Sequence, residues 1–395
     1  MERFLNFTFF AIFFLSCWVA DAQDGSRLRQ GFDGLDSDKD GLLSIDEIGG
    51  APRLKERLQG ADQDGDGSLS FSEFAQSVMR SLEPSSPKAV VPPASDAPLE
   101  AGERTRTVTV GQVDRRYLVY VPETYDAEEA TPVVLAFHGG GGNPQSMVAI
   151  SQLSGKAEEE GFLLVFPYGS GQDPDRFLTF NGGDCCGYAM QNEVDDVGYV
   201  RALLDDLAKV AQVDAGAVFA TGLSNGGIMA YRLAAELADR IAAIAPVGGP
   251  LMRDAVSPSQ PVAVMHFHGT DDAFAPFAGG YGTNGQGGRG VTSFRSVEDS
   301  LRAWIVANGC EESPSVEMLP DAEQDGTRVT RKTWRGGMEG SEVVLIEIEG
   351  GGHTWPGVTP PRAASFLGVS TKDISANEVM WEFFLKHRRN PDSAR

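Results

Sequence analysis

Gly222-Leu223-Ser224-Asn225-Gly226 sets one serine in a Gly-x-Ser-x-Gly frame, a spacing suited to a nucleophile held on a tight turn. A serine hydroxyl attacks a carbonyl only when a neighbouring base takes its proton. Small residues flank the serine because bulky ones would strike the preceding strand and the following helix. The match alone says little in a chain with 47 glycines. Its setting says more, since Val218 to Thr221 reads as a strand and a helix is expected from about Gly227.

The base must come from five histidines. His138 precedes the serine and opens a glycine run, His266 sits inside a strand-like stretch, and His387 adjoins Arg388 and Arg389 in a terminal helix. His268 ends the same strand-like stretch, a position more often structural. His353 follows Val343 to Ile348 through Gly350-Gly351-Gly352, on a loop in the last third of the chain, and is the expected base. An acid must hold that imidazole in the right tautomer. Asp271 and Asp272 both lie on the loop after Val262 to Phe267, and spacing alone leaves either as the orienter. His138-Gly139-Gly140-Gly141-Gly142-Asn143 follows Val133 to Phe137, where a glycine loop lends a backbone amide to a developing oxyanion. The Asn225 amide is the second expected donor. The Gly-Lys-Ser or Gly-Lys-Thr of a phosphate-binding loop does not follow these glycines.

A second constellation lies near the N-terminus. Asp36, Asp38, Asp40, Leu42, Ser44 and Glu47 occupy ligand positions 1, 3, 5, 7, 9 and 12 of an EF-hand loop, and Asp62, Asp64, Asp66, Ser68, Ser70 and Glu73 repeat the pattern. Calcium takes six to eight oxygens, which three carboxylates on one turn, a backbone carbonyl, a hydroxyl often reached through water and a bidentate Glu supply. Gly41 and Gly67 permit the turn, and Leu43 should face Leu69 across the pair. Two structural calcium ions are expected. A sensor would expose a Met-rich groove, whereas here Met79 stands alone.

These residues need elements to position them. Residues 23–83 carry 13 acids and 7 bases, a net of 7 − 13 = −6, and read as a small all-α EF-hand pair. Residues 84–102 are a Pro, Ala and Ser-rich linker. Residues 103–390 alternate strand-like runs with amphipathic helices such as Asp195 to Val210, Gly226 to Leu237 and Ser375 to His387. Continuous apolar runs at Val133 to Phe137, Leu163 to Phe166, Val218 to Gly222 and Val262 to Phe267 predict a mostly parallel α/β sheet buried on both faces, with Thr105 to Val113 and Tyr117 to Val121 paired antiparallel at its edge. Residues 1–22 read as a signal peptide, with an apolar Phe7 to Val19 and a small-x-small site ending at Ala22. The chain is therefore expected in the extracellular space or periplasm, with no membrane association after cleavage. The net charge of −23 argues against nucleic acid as a partner.

Across residues 104–388 the motifs AFHGGGGN, FNGGDCCG, VDDVGYV, GLSNGGIMAYRLA, HFHGTDD and EGGGHTWPG resemble the secreted α/β-hydrolase esterase family of polyhydroxybutyrate depolymerases, feruloyl esterases and acetyl xylan esterases. The resemblance implies Ser224 as nucleophile, His353 as base, Asp272 rather than Asp271 as orienter, and Gly140 with Asn225 as oxyanion donors. It implies hydrolysis of a carboxylic ester through an acyl-enzyme, with no cofactor in the chemistry. The ester, which could be polymeric, would be a feruloyl or acetyl group on a polysaccharide, or a hydroxyalkanoate polyester or oligomer. A calcium-stabilised carbohydrate or surface-binding protein on an inactive hydrolase scaffold is the rival expectation. Trp355 and Tyr281 are candidate substrate contacts, and Gly279 to Gly290 a candidate lid. The family's Asn-Gly-Cys motif stands at Asn308 to Cys310, but the cysteine that often follows is replaced near Trp334 to Gly337. Any disulfide is therefore expected at Cys185 or Cys186, bridged to each other or from Cys186 to Cys310.

Overall fold

A computed structural model describes residues 29, 32–44, 47, 67–71, 73–75, 97–253, 255–282, 292–360 and 366–389. The expected leader, Asp62, Asp64 and Asp66 of the second loop, and residues 283–290 of the candidate lid lie outside the described residues.

One ten-stranded sheet organises the chain. Its strands are β1 (Gly102–Val110), β2 (Val113–Val121), β3 (Thr131–Phe137), β4 (Leu163–Pro167), β5 (Val213–Leu223), β6 (Ala243–Val247), β7 (Ala263–Gly269), β8 (Ser315–Met318), β9 (Arg328–Trp334) and β10 (Val343–Glu349), in the order β8-β9-β10-β7-β6-β5-β3-β4-β2-β1. The six central strands, β10 to β4, run parallel, and antiparallel pairs close both edges. This is the α/β-hydrolase arrangement. Alternation along β3 shows the three layers. Val133, Leu135 and Phe137 face one core with Tyr199, Leu203 and Leu207 of helix α1 (Asp196–Val210). Val134 and Ala136 face the other, with Ala157, Trp381 and Phe384.

Three features depart from the expectation. Leu99, assigned to the linker, is buried, and its amide donates to the Val210 carbonyl at 3.1 Å, so the packed domain begins before residue 103. The short strand β6 is additional to the expected set, masked in sequence by Pro246, which lacks a ladder donor. The antiparallel strands β8 and β9 are additional too, and every residue of β8 is exposed, so it has no buried face to announce it.

Near the N-terminus, Leu42–Ser44 and Ser68–Ser70 pair antiparallel with Leu43 opposite Leu69, as the two loops required. Phe32, Leu43, Leu69, Phe71 and Phe74 form a small core. That core touches the larger domain where the Phe71 ring meets Phe366 edge-on at 6.3 Å. Cys185 and Cys186 are joined by a disulfide across a cis peptide bond, and Cys310 is free. The last helix, Ala376–Lys386, is tied to the start of β10 through Glu342, which accepts from Lys386 Nζ at 2.6 Å and lies 3.2 Å from His387 Nε2. Burial alone would raise the Glu342 carboxyl, but the hydrogen bonds from His387 and Lys386 hold it down at about 2.

Candidate active site

Strand β5 stops at Ser224, whose backbone sits at φ 57° and ψ −122° before helix α2 (Asn225–Glu236) begins. Such a conformation costs a non-glycine residue about 1–3 kcal/mol and persists only where its surroundings impose it. Here the Ser224 amide donates to the Val247 carbonyl at 2.8 Å, and its carbonyl accepts from the Ile228 amide at 2.9 Å. A Cβ at position 226 would overlap the Phe137 carbonyl, which is why the turn takes glycine there.

The other two members of the expected triad leave neighbouring strands. Strands β7 and β10 are adjacent and parallel with His268 opposite Glu347, so the loops at their C-terminal ends emerge side by side. The Asp271 amide donates to the Gly351 carbonyl at 2.9 Å and joins those loops. His353 Nδ1 and Asp272 Oδ2 lie 2.6 Å apart, both residues buried. Asp272 Oδ1 accepts from the amides of Phe274 (2.8 Å) and Ala275 (2.9 Å), which fixes the carboxylate plane. Burial would raise the Asp272 carboxyl, but the pull of His353 and hydrogen bonds from His268 and His353 keep it well below the usual carboxylate range. Asp271 is exposed and accepts from the Thr270 hydroxyl at 3.1 Å, so of the two candidates the fold brings Asp272 to the imidazole.

Gly248 and Gly249, after β6, form the floor shared by the serine turn and the imidazole. A Cβ on Gly248 would stand 3.2 Å from His353 Nδ1 and 3.4 Å from Asp272 Oδ2, and one on Gly249 would overlap the Ser224 carbonyl. In the glycine loop after β3, a Cβ on Gly140 would lie 3.7 Å from Asn225 Cβ. The amides of Gly141 and Gly142 serve the loop itself, donating to Leu178 (2.8 Å) and Gly139 (3.0 Å). Asn225 brackets Phe180 with its side chain, accepting from the amide at 2.7 Å and donating to the carbonyl at 2.8 Å. Its own amide, at the first helical position, has no intrahelical acceptor and lies at the positive end of the helix dipole. The Phe180 segment is held in turn by Asp196, which accepts from the Asn181 amide and pairs with Arg115, both at 2.7 Å.

The two candidate substrate contacts part company. Trp355 is 1% exposed, packs in the core, and donates its indole N–H to Asn377 Oδ1 at 2.8 Å. The expectation that it touches substrate is corrected, because no face of the ring reaches solvent. Tyr281 is 61% exposed on a two-residue strand paired with Ser293–Phe294. The aromatic neighbour of the expected base is instead Phe274, stacked on His353 at 5.1 Å and 27°. Its position two residues beyond Asp272 in a turn carries no periodic signal.

In the first N-terminal loop, one carboxylate oxygen from each of Asp36, Asp38 and Asp40 lies within 4.8 Å of the others. Asp36 Oδ1 is buried with no hydrogen-bond partner among the described residues. Glu47 accepts from the amides of Ser37 (2.7 Å) and Ser44 (2.9 Å), and Glu73 from that of Ser70 (2.8 Å). The Ser44 and Ser70 hydroxyls donate to these same glutamates at 2.8 and 2.7 Å.

Known proteins resemble this chain. No family model matches the chain. A putative esterase from Nocardia uniformis subsp. tsuyamanensis is 30% identical over 322 residues, covering 76% of this chain and 90% of that protein. The chain belongs to that esterase family. Feruloyl esterase B of Piromyces equi is 28% identical over 60% of the chain and 42% of its own length. A probable feruloyl esterase C of Aspergillus clavatus is 25% identical over 69% of the chain and 83% of its own length. Among solved structures, an acetyl xylan esterase from Aspergillus awamori superposes with a TM-score of 0.43 and 14% identity, over 63% of this chain and 94% of that one. As a member of this family the chain is a carboxylic ester hydrolase, and no described helix of the esterase is long and apolar enough to cross a membrane.

Proposed function

We propose that this esterase is a secreted serine hydrolase that cleaves feruloyl or acetyl esters of polysaccharide through an acyl-enzyme. The observation that carries the reading is the 2.6 Å Asp272–His353 contact, set against the same Gly248-Gly249 floor that abuts the Ser224 turn. With Nδ1–H donated to Asp272, the imidazole presents Nε2 as a base. Ser224 Oγ bonds to the ester carbonyl carbon as its proton passes to His353 Nε2. The Gly140 and Asn225 amides hold the resulting oxyanion, and two such donors supply on the order of several kcal/mol. Collapse expels the alcohol, which leaves with the proton from His353. Water, deprotonated by the same imidazole, then frees the acid from Ser224. The names of the feruloyl esterase relatives favour polysaccharide-linked acyl groups over polyester.

Methyl ferulate, acetylated xylan and hydroxybutyrate oligomers, offered to the wild type and to Ser224→Ala, test this reading. Turnover of the first two, lost in the variant, is expected. Preference for the oligomers would move the substrate to polyester, and persisting activity in Ser224→Ala would remove the serine mechanism.

A calcium ion would fit the first N-terminal loop as a structural cation, and the second loop repeats that ligand pattern in sequence. The support is the convergence of Asp36, Asp38 and Asp40 around the orphaned Asp36 oxygen, a donor set of hard oxygens. The Leu42 carbonyl, Ser44 and Glu47 would complete the first site. Asp62, Asp64, Asp66, Ser68, Ser70 and Glu73 would form the second. Calcium there neutralises converging carboxylates and takes no part in ester cleavage. The leader-like residues 1–22 support export to the extracellular space or periplasm.

A further inference from the structure

Beside Asp272, three buried polar side chains form an unbroken line. Tyr231 OH lies 3.1 Å from His266 Nδ1, His266 Nε2 lies 2.9 Å from His268 Nδ1, and His268 Nε2 lies 2.7 Å from the Ala275 carbonyl and 3.4 Å from Asp272 Oδ2. None of the three exceeds 2% exposure, so water cannot substitute for any of these partners. The alternation His266-Phe267-His268 puts both imidazoles on one face of β7, and Tyr231 reaches them from α2, the helix that starts at Ser224.

We propose that Tyr231, His266 and His268 are a one-directional hydrogen-bond relay that positions the Asp272 turn against the nucleophile's own helix, with His268 as the positioning residue. The proposal rests on the serine mechanism above. Donor and acceptor roles follow from the far end. A carbonyl can only accept, so His268 must carry its proton on Nε2 to serve Ala275. A neutral His268 then accepts at Nδ1, which requires the proton of His266 on Nε2. His266 accepts at Nδ1 in its turn, and only the Tyr231 hydroxyl stands there to donate.

The ionisable groups against the pair are Tyr231 at one end and Asp272, with His353 beyond it, at the other. Phe277 lies edge-on to His268, and Trp304 stacks on Tyr231. Full burial pushes His266 far toward its neutral form, which the relay requires. Residue Ala275 is thus gripped on both sides, its carbonyl by His268 and its amide by Asp272 Oδ1. A shift of that residue would withdraw one of the two amides that fix the carboxylate facing His353. Tyr231 and His268 touch no reacting atom, and their effect on catalysis passes through Asp272.

The test pairs kinetics with tautomer assignment. Long-range ¹H–¹⁵N spectra of the resting wild-type protein at about pH 8, the top of the ordinary histidine range, should show His266 and His268 each protonated on Nε2 and bare on Nδ1. An Nδ1–H tautomer or a cation at either residue overturns the relay, whatever the activity does. His268→Leu should lower kcat about tenfold or more with KM little changed, the worth of one hydrogen bond around a charged group. It should also move the acidic limb of the pH profile upward, because an Asp272 that shares its charge with fewer donors holds the His353 proton more tightly. His268→Gln, which keeps a side-chain N–H, should recover most of kcat, and Tyr231→Phe should show a smaller loss of the same kind. A folded His268→Leu with unchanged kcat and limb, or a lowered kcat that His268→Gln does not restore, overturns the proposal. Ser224→Ala, run alongside, shows separately whether the serine mechanism itself has failed.

Discussion

The two aspartate clusters of this chain are finished in different ways. Around Asp272 the polypeptide supplies every partner: two amides on one oxygen, an imidazole on the other, and His268 nearby. Around Asp36, Asp38 and Asp40 it supplies turn-forming amides from Gly41, Asp40 and Leu42, and one buried oxygen is left unbonded among the described residues. Like charges at such range repel, so the first cluster is balanced by groups of its own chain, whereas the second gathers three carboxylates beside one unbonded oxygen, the arrangement on which the calcium proposal rests.

That contrast can be broken most forcefully at the catalytic end. Ser224→Ala and His353→Ala should each lower kcat/KM by on the order of a thousandfold or more, and the double variant should lose little beyond either single one, since the pair acts as a unit. Additive losses on a small ester would show that the two do not share one step. Asp272→Ala should cost at least about a hundredfold and Asp271→Ala no more than about threefold, because only the former meets the imidazole. Reversal of that order, with both variants folded, would place the orienter at Asp271.

A pH titration sharpens the comparison for a carboxylate the chain completes. Glu342 is held at about 2 in the folded protein against 4.5 for a free side chain, so its contribution is fully present above about pH 4.5 and is lost as pH falls toward 2. Glu342→Gln should therefore lower stability at neutral pH by on the order of 2 kcal/mol and flatten the acid side of the unfolding curve. An unchanged denaturation midpoint at pH 7 would contradict it. The smallest effect is expected from calcium. Chelation should lower the melting temperature of the N-terminal unit, while turnover of a small ester stays within about threefold, as should that of a chain lacking residues 23–83, because a surface contact of this kind contributes about 1 kcal/mol. Loss of nearly all turnover with the sheet domain folded would show that the unit shapes the active site.

Much of this is legible in the residues. Buried parallel strands announce themselves as continuous apolar runs, and glycine-spaced motifs stand out because backbone must pass close to backbone, as at Gly222 and Gly226. Strand β6 stays hidden because its proline contradicts a ladder, and β8 because it buries nothing. Trp355 misleads because an aromatic next to a catalytic loop looks the same in sequence whether it faces substrate or core. His266 and His268 read as structural one at a time, and only the side-chain geometry makes them a pair.

The ring contacts running from Phe71 to Phe366 at 6.3 Å, from Phe366 to Phe274 at 5.9 Å and from Phe274 to His353 at 5.1 Å bear on modularity. A unit joined by nothing but a tether can be exchanged for any other of similar size. This one shares a seat with a residue two rings from the base, so a transplanted N-terminal unit must bring a side chain shaped like Phe71, or the host must rebuild its surface at Phe366.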